Sequence, residues 1–206
     1  MIRTTLRWTA TLAMAAGCVS CSDDSGLNAE REGAVRAEGA AAAQVLMTTL
    51  QANLVTSMEE GGPVQAIEFC TTGALALTDS VSDSLGDGIS IKRVSEKHRN
   101  PENAPDASEI EAIRHFEAAL AANGALPDDL VQETPAGELR FYRPLTIAPP
   151  CLNCHGDPVN MDPRVVEVLQ ASYPDDQATG YEAGDLRGLI RVSVSEERVN
   201  QAIDSY

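Results

Sequence analysis

The run Cys151-Leu152-Asn153-Cys154-His155 holds the residue types and spacing best suited to chemistry in this chain. It spells C-x-x-C-H, the local signature of covalent c-type haem attachment. Each thiol can join a haem vinyl group as a thioether, and the adjacent imidazole then stands against the iron as proximal ligand. Zinc sites and redox dithiols also use C-x-x-C. A structural zinc site takes four ligands, commonly from a second paired motif, and no such pair follows His155. A thioredoxin-like dithiol opens a helix after a buried strand, whereas Ala148-Pro149-Pro150 and Gly156-Asp157-Pro158 flank this motif and predict a rigid loop. The expected cofactor is one covalent haem c.

The second axial position has several candidates. Met161 is the sole methionine after His155 and stands too close in sequence to reach round the iron easily, so the ligand is sought upstream or is absent. Cys70, His98, His115, Met47 and Met58 are the choices. His115 falls one residue off the apolar stripe of its helix and reads as a partly exposed residue. His98 sits between Lys97 and Arg99 in a polar loop, and Met47 and Met58 lie on a long helix where methionine ordinarily packs. Cys70 is the one cysteine that neither an export signal nor the haem motif explains. Spacing alone leaves it balanced between ligand and small buried side chain.

The elements that must position these residues follow from periodicity. Ala34 to about Met58 is Ala-rich, with Val45, Leu46, Leu50 and Leu54 at helical spacing, and predicts one long helix that Glu59-Glu60-Gly61-Gly62-Pro63 ends. Val64, Ile67, Cys70, Ala74 and Leu77 mark the stripe of a second helix. Gly88 to Val94 alternates as a strand, and a loop through Pro101 and Pro105 leads to a helix capped by Asp106 or Ser108 and closed by Asn123-Gly124. Glu138 to Ile147 predicts a strand that feeds the haem loop, Pro144 marking an edge or bulge. A short helix over 163–172, a polar loop over 173–185 and a strand over 186–194 complete the chain. The fold class expected is α/β (α+β), with an antiparallel sheet and a long N-terminal helix.

At the start, Arg3 and Arg7 precede a short apolar stretch from Trp8 to Ala16, the pattern of a secretory signal and too short to span a bilayer. Ala15-Ala16-Gly17-Cys18 resembles a bacterial lipoprotein cleavage box, with Cys18 as the lipidated residue and Cys21 the fallback. Residues 1–17 are thus expected as signal, 18–33 as tether and 34–206 as a single domain on the periplasmic side of a bacterial membrane, held by lipid. The formal net charge of −16 disfavours nucleic-acid binding. Loss of Arg3 and Arg7 makes the chain more acidic still, so a partner that docks electrostatically should be basic.

Several separated segments, taken in order, resemble a known family. They are Ala66-Ile67-Glu68-Phe69-Cys70; Arg93-Val94-Ser95 with Arg99 to Pro105; Arg143-Pro144-Leu145 leading into Cys151 to Gly156; and Tyr173-Pro174-Asp175-Asp176 through Thr179-Gly180-Tyr181 to Gly184-Asp185-Leu186-Arg187-Gly188. The family is the PAS-like haem c domain of exported bacterial proteins and of some membrane histidine kinases. The resemblance implies a PAS-like sheet with flanking helices, and iron held by His155 on one side and Cys70 on the other. It implies a redox or diatomic-gas sensor, with a redox or signalling protein as partner. The alternative is a membrane-anchored periplasmic electron carrier. A haem enzyme is the less favoured class, since a six-coordinate iron leaves no room for substrate. Arg93, Arg99 and Arg143 are candidates to pair with haem propionates, because guanidinium matches carboxylate in a bidentate way.

Overall fold

The computed structural model describes residues 27–205, so the expected signal and both Cys18 and Cys21 lie outside the described residues. A four-stranded antiparallel sheet carries helices on both faces, an α+β arrangement. In chain order the elements are α1 (Ala29–Thr72), α2 (Ala74–Ser84), β1 (Ile89–Val94), α3 (Ala107–Asn123), β2 (Leu130–Glu133) and β3 (Leu139–Thr146). Then come α4 (Leu152–His155), α5 (Pro163–Ser172), β4 (Leu186–Val194) and α6 (Glu196–Asp204). The strand order is β1-β4-β3-β2.

The long helix begins at Ala29 rather than Ala34, because the Asn28 side chain accepts from the backbone N–H groups of Glu30 and Arg31 and fixes the start. The tether expected over residues 18–33 is therefore helical from Ala29 on. The expected break at Gly61-Gly62-Pro63 is present as a kink: Gly62 takes φ 71°, ψ −161°, a conformation open to glycine, and Pro63 follows it. Of the second helix expected from Val64 to Leu77, the first part, with Cys70, is the stretch of α1 beyond the kink. That second helix is interrupted at Gly73, from which α2 restarts.

Strand alternation divides the sheet into two faces. Ile89 and Ile91 of β1, Leu139 and Phe141 of β3, and Ile190, Val192 and Val194 of β4 point to one side. There they meet Val35, Ala42, Ala43 and Leu46 of α1, Val81 of α2 and Val199 of α6. Each fully buried aliphatic side chain in this layer contributes roughly 1.5–3 kcal/mol of transfer free energy. Gly39 of α1 lies directly against the Phe141 side chain, and a methyl group there would overlap it. On the other face, α3 lays Ala112, Ile113 and Phe116 over Val94, Tyr142 and Leu189. Asp106 caps α3 in a reciprocal capping box with Glu109, and Gly124 closes it, as the sequence predicts.

Three expectations change. The strand β2 is an addition; Leu130-Val131 are its only aliphatic residues and all four positions are half-buried, so no alternation announces it. The terminal helix α6 also goes beyond the expected elements, and only Val199 of it is buried. The haem motif is not in a loop: Pro149–Cys151 form a 3-10 turn that runs into the one-turn helix α4. Prolines suit a first helical turn, where no N–H is needed, so the flank read as loop-forming instead starts a helix.

Candidate functional site

At the end of the α1–sheet layer the packing opens into a cavity of about 340 Å³. Its wall on α1 is Met47, Leu50, Gln51 and Leu54, continued past the kink by Phe69 and Cys70. The rest of the lining is Arg93 and Val94 of β1, Leu145 of β3, Arg187, Gly188 and Ile190 of β4, and His155. Cys70 and His155, from distant parts of the chain, thus face one apolar space. Gly188 stands where the β3–β4 register shifts at Leu145/Thr146. Its φ of 156° and its closeness to the Val94 carbonyl leave no room for a side chain, so the floor of the cavity depends on glycine there.

His155 is held from behind. Its Nδ1 lies 2.8 Å from the carbonyl oxygen of Ala178, so Nδ1–H donates and Nε2 keeps its lone pair free for another partner. Burial, with the nearby Arg187 and Arg99 guanidinium groups, pushes its pKa down to about 3, which keeps the imidazole neutral. The turn that carries it is clasped by the segment beyond α5. Tyr181 N–H donates to the His155 carbonyl at 3.0 Å and Gly180 N–H to the Gly156 carbonyl at 2.8 Å. The Tyr181 ring meets the imidazole edge to face at 6.3 Å.

Cys70 is unpaired, and burial raises its thiol pKa against the opposing pull of Arg93 and Arg99. Cys151 and Cys154, also unpaired, sit on the turn before His155 and do not line the cavity themselves. Cys151 packs beside Ile147, Ala178 and Tyr181. Cys154 packs beside Ile67, Met161 and Leu169, where burial raises its thiol pKa and the nearby Cys70 adds to the rise.

The other candidates for the iron fall away from this space, apart from Met47, which lines it. Met58 is on an exposed part of α1, and Met161 is buried against α5. His115 is exposed on α3, across the sheet, edge-on to Phe116. His98 does not line the cavity. Among the arginines, Arg143 donates to Gln44 and Arg99 is engaged by Asp176 and two carbonyls. Arg93 remains. It lines the cavity, its pKa is lowered by burial, and its buried Nε has no hydrogen-bond partner among the described residues. Arg187, half-engaged by Ser95 and the Lys97 carbonyl, adds a second guanidinium that sequence reasoning had not singled out. The signal for it was available in Arg187-Gly188, an arginine beside a strand glycine.

The donor set fits a haem. A neutral imidazole with a free Nε2 and a thiol face one apolar space, two further thiols are carried on the imidazole's own turn, and the buried Nε of Arg93 there has no hydrogen-bond partner among the described residues.

A family model described as Tll0287-like matches residues 29–195. Among solved structures, the crystal structure of the cyanobacterial heme-protein Tll0287 superposes with a TM-score of 0.58 at 23% sequence identity, over 82% of this chain and 98% of that one. At that identity the likeness is one of fold. No curated protein matches.

Proposed function

Since the chain belongs to the Tll0287-like family, we propose that it is an exported single-haem c-type cytochrome domain with a PAS-like fold, acting as a redox or diatomic-gas sensor. The observation that carries this is the convergence of Cys70 and His155 on one cavity. Bound there, haem would supply one-electron chemistry and an axially ligated iron. Cys151 and Cys154 would hold it as thioether residues, and the His155 Nε2 and the Cys70 sulfur would be the groups offered to its iron. Leu50, Phe69 and Ile190 give that space apolar walls. Arg93 and Arg187 offer positive charge to propionates and to the Cys70 thiolate.

Cys70 rides on a short piece of α1 bounded by the Gly62 kink and by Gly73. Ile67 of that piece packs on Val165 and Leu169 of α5, so a change at Cys70 would be passed to α5. The reading extends to location: Cys18 is the lipidated residue, which holds the domain on the periplasmic side of the membrane.

The test is a pair of optical spectra, oxidised and reduced, for the haem-loaded protein and its Cys70→Ala variant. A variant that keeps covalent haem but loses a thiolate-type ferric spectrum supports Cys70 as ligand. Identical spectra would return Cys70 to core packing. Loss of the Cys70 bond on reduction is expected of the sensor, and a ferrous spectrum that retains it argues for a carrier.

One observation favours electron transfer as a second reading. Between Arg36 and Lys92 the chain has no Lys or Arg, while Glu59, Glu60 and Glu68 stand on the helix that walls the cavity. A basic redox partner would find that wall complementary. Electron exchange with a cationic cytochrome that is fast at low salt, slows steeply with ionic strength and changes no ligand would establish it.

A further inference from the structure

Resting on the haem reading above, we infer that Arg99 and Asp176 form a positioning pair that sets the electron density His155 offers to iron. The guanidinium of Arg99 is almost fully withdrawn from solvent, as is the carboxylate it meets, each side chain being 10% exposed. Its Nε donates to Asp176 Oδ2 at 3.0 Å. Its Nη2 donates to the carbonyl of Cys154 at 2.6 Å and to the carbonyl of Ala178 at 3.2 Å. The second of these is the carbonyl that accepts from His155 Nδ1 at 2.8 Å. Asp176 closes the circuit, since its Oδ1 accepts from the Ala178 N–H at 2.7 Å.

Two donors thus share one acceptor. A carbonyl already polarised by a guanidinium is a poorer acceptor for Nδ1–H, so the imidazole keeps less anionic character and is a weaker donor through Nε2. Arg99 thereby favours the ferrous state, through the hydrogen bond and through its charge. Asp176 opposes it by neutralising that charge while holding the guanidinium in place. The hydrogen bond to Cys154 adds a second function, because it fixes the backbone of the haem-attachment turn at the residue before His155.

This assignment predicts opposite signs for the two members of the pair. Arg99→Gln removes the competing donor and leaves Asp176 anionic near the iron, so the reduction potential falls. Asp176→Asn keeps the guanidinium and removes its counter-charge, so the potential rises. Each shift should correspond to about a ten-fold change in the ferric–ferrous equilibrium, about 59 mV for one electron. Arg99→Lys retains charge but loses the forked geometry and should fall between wild type and Arg99→Gln.

The experiment is a spectroelectrochemical titration of the haem-loaded full chain and these variants, with ferric electron paramagnetic resonance and a melting curve for each. Opposite shifts with the axial ligand set unchanged support the pair as a tuning device. Shifts of one sign, or unmoved potentials beside lowered melting temperatures, would make it only a structural clasp and overturn the inference. If Arg99→Gln yields no haem-loaded protein, Asp176→Asn and Arg99→Lys decide, and an unmoved potential in both overturns it. A wild-type protein with no covalent haem would instead sink the haem reading itself, an outcome distinct from any of these.

Discussion

Glu109 is the test of what holds α3 to the sheet. Its carboxylate is fully buried. Oε2 accepts from the Asp106 N–H at 2.8 Å and from Lys92 Nζ at 3.3 Å, and Oε1 accepts from Arg191 Nε at 3.2 Å with Arg140 at 4.0 Å. Truncation to Ala strands cations that the fold brought together around one anion, and breaking such a buried arrangement costs about 3–5 kcal/mol. The lower end applies here. Arg140 keeps Glu138 and Asp106, Arg191 keeps Ser193, and Lys92 keeps the Ala104 carbonyl. The Lys92 side chain is also 30% exposed and can rehydrate. At about 2–4 °C per kcal/mol for a domain of this size, a loss near 3 kcal/mol lowers the melting temperature by about 6–12 °C. Glu109→Gln keeps the acceptor for the Asp106 N–H and the volume, so about half that loss is expected, on the order of 1.5 kcal/mol. Urea titrations of the haem-loaded protein, read by circular dichroism and by the visible spectrum, give both numbers. A Glu109→Ala variant within about 0.5 kcal/mol of wild type would refute the ion-network argument, and equal losses for Ala and Gln would place the cost in packing.

Gly39→Ala should destabilise by about 1–2 kcal/mol, because the overlap with Phe141 costs more than the ~1 kcal/mol gain in helix propensity; a raised melting temperature would contradict the close approach of α1 to β3. Asp106 and Glu138 both titrate below the ordinary carboxylate range: burial alone would raise them, but the Glu109 N–H and Arg140 outweigh it for Asp106, and Arg140 and Ser193 for Glu138. The stability they confer is present above their unfolded pKa values, near 4, and is lost as pH falls through the lower folded values. Melts between pH 6 and 3 should therefore steepen downward below about pH 4, and Asp106→Asn with Glu138→Gln should flatten that limb. Gly188→Ala drives a methyl group into the Val94 carbonyl at the cavity floor, and is expected to cost about 1–3 kcal/mol and to alter the ferric spectrum; an unaltered spectrum would separate the β-bulge from the site.

How much of this was legible depended on how local each signal is. The haem motif is five adjacent residues and needs no fold to be read. The cap expected at Asp106 or Ser108 and the break expected over Glu59 to Pro63 are equally local: Asp106 caps α3, and the break is the kink at Gly62. Cys70 is different: its helical spacing suits a ligand and a packed side chain alike, and only the resemblance to a family joins it to His155. The helix α4 was missed because one turn is too short to show a period and its prolines resemble loop punctuation. The strand β2 follows Pro127-Asp128-Asp129 and is held in place by pairing with β3, a partner that four residues cannot name. Arg99 was first a propionate candidate. Its actual partners are one side chain and two carbonyls from the far half of the chain, and backbone carbonyls carry no sequence signal at all.

The sheet separates stability from chemistry, and the separation follows from the alternation of its strands. On β1, Lys92 points to the α3 face and enters the Glu109 network, while its neighbour Arg93 points to the α1 face and lines the cavity. On β4, Arg191 joins Glu109 while Ile190 lines the cavity. The cations of the first face all have carboxylates to meet, so their burial is compensated within the protein. Arg93 is half-buried, with no hydrogen bond for its Nε, an arrangement that costs stability unless another anion completes it. That asymmetry is itself an argument for the site: among the described residues no carboxylate forms an ion pair with Arg93, and Asp79 acts on it only through its charge. A ligand bearing its own carboxylates accounts for a guanidinium nitrogen left unpaired on the face that Cys70 and His155 line.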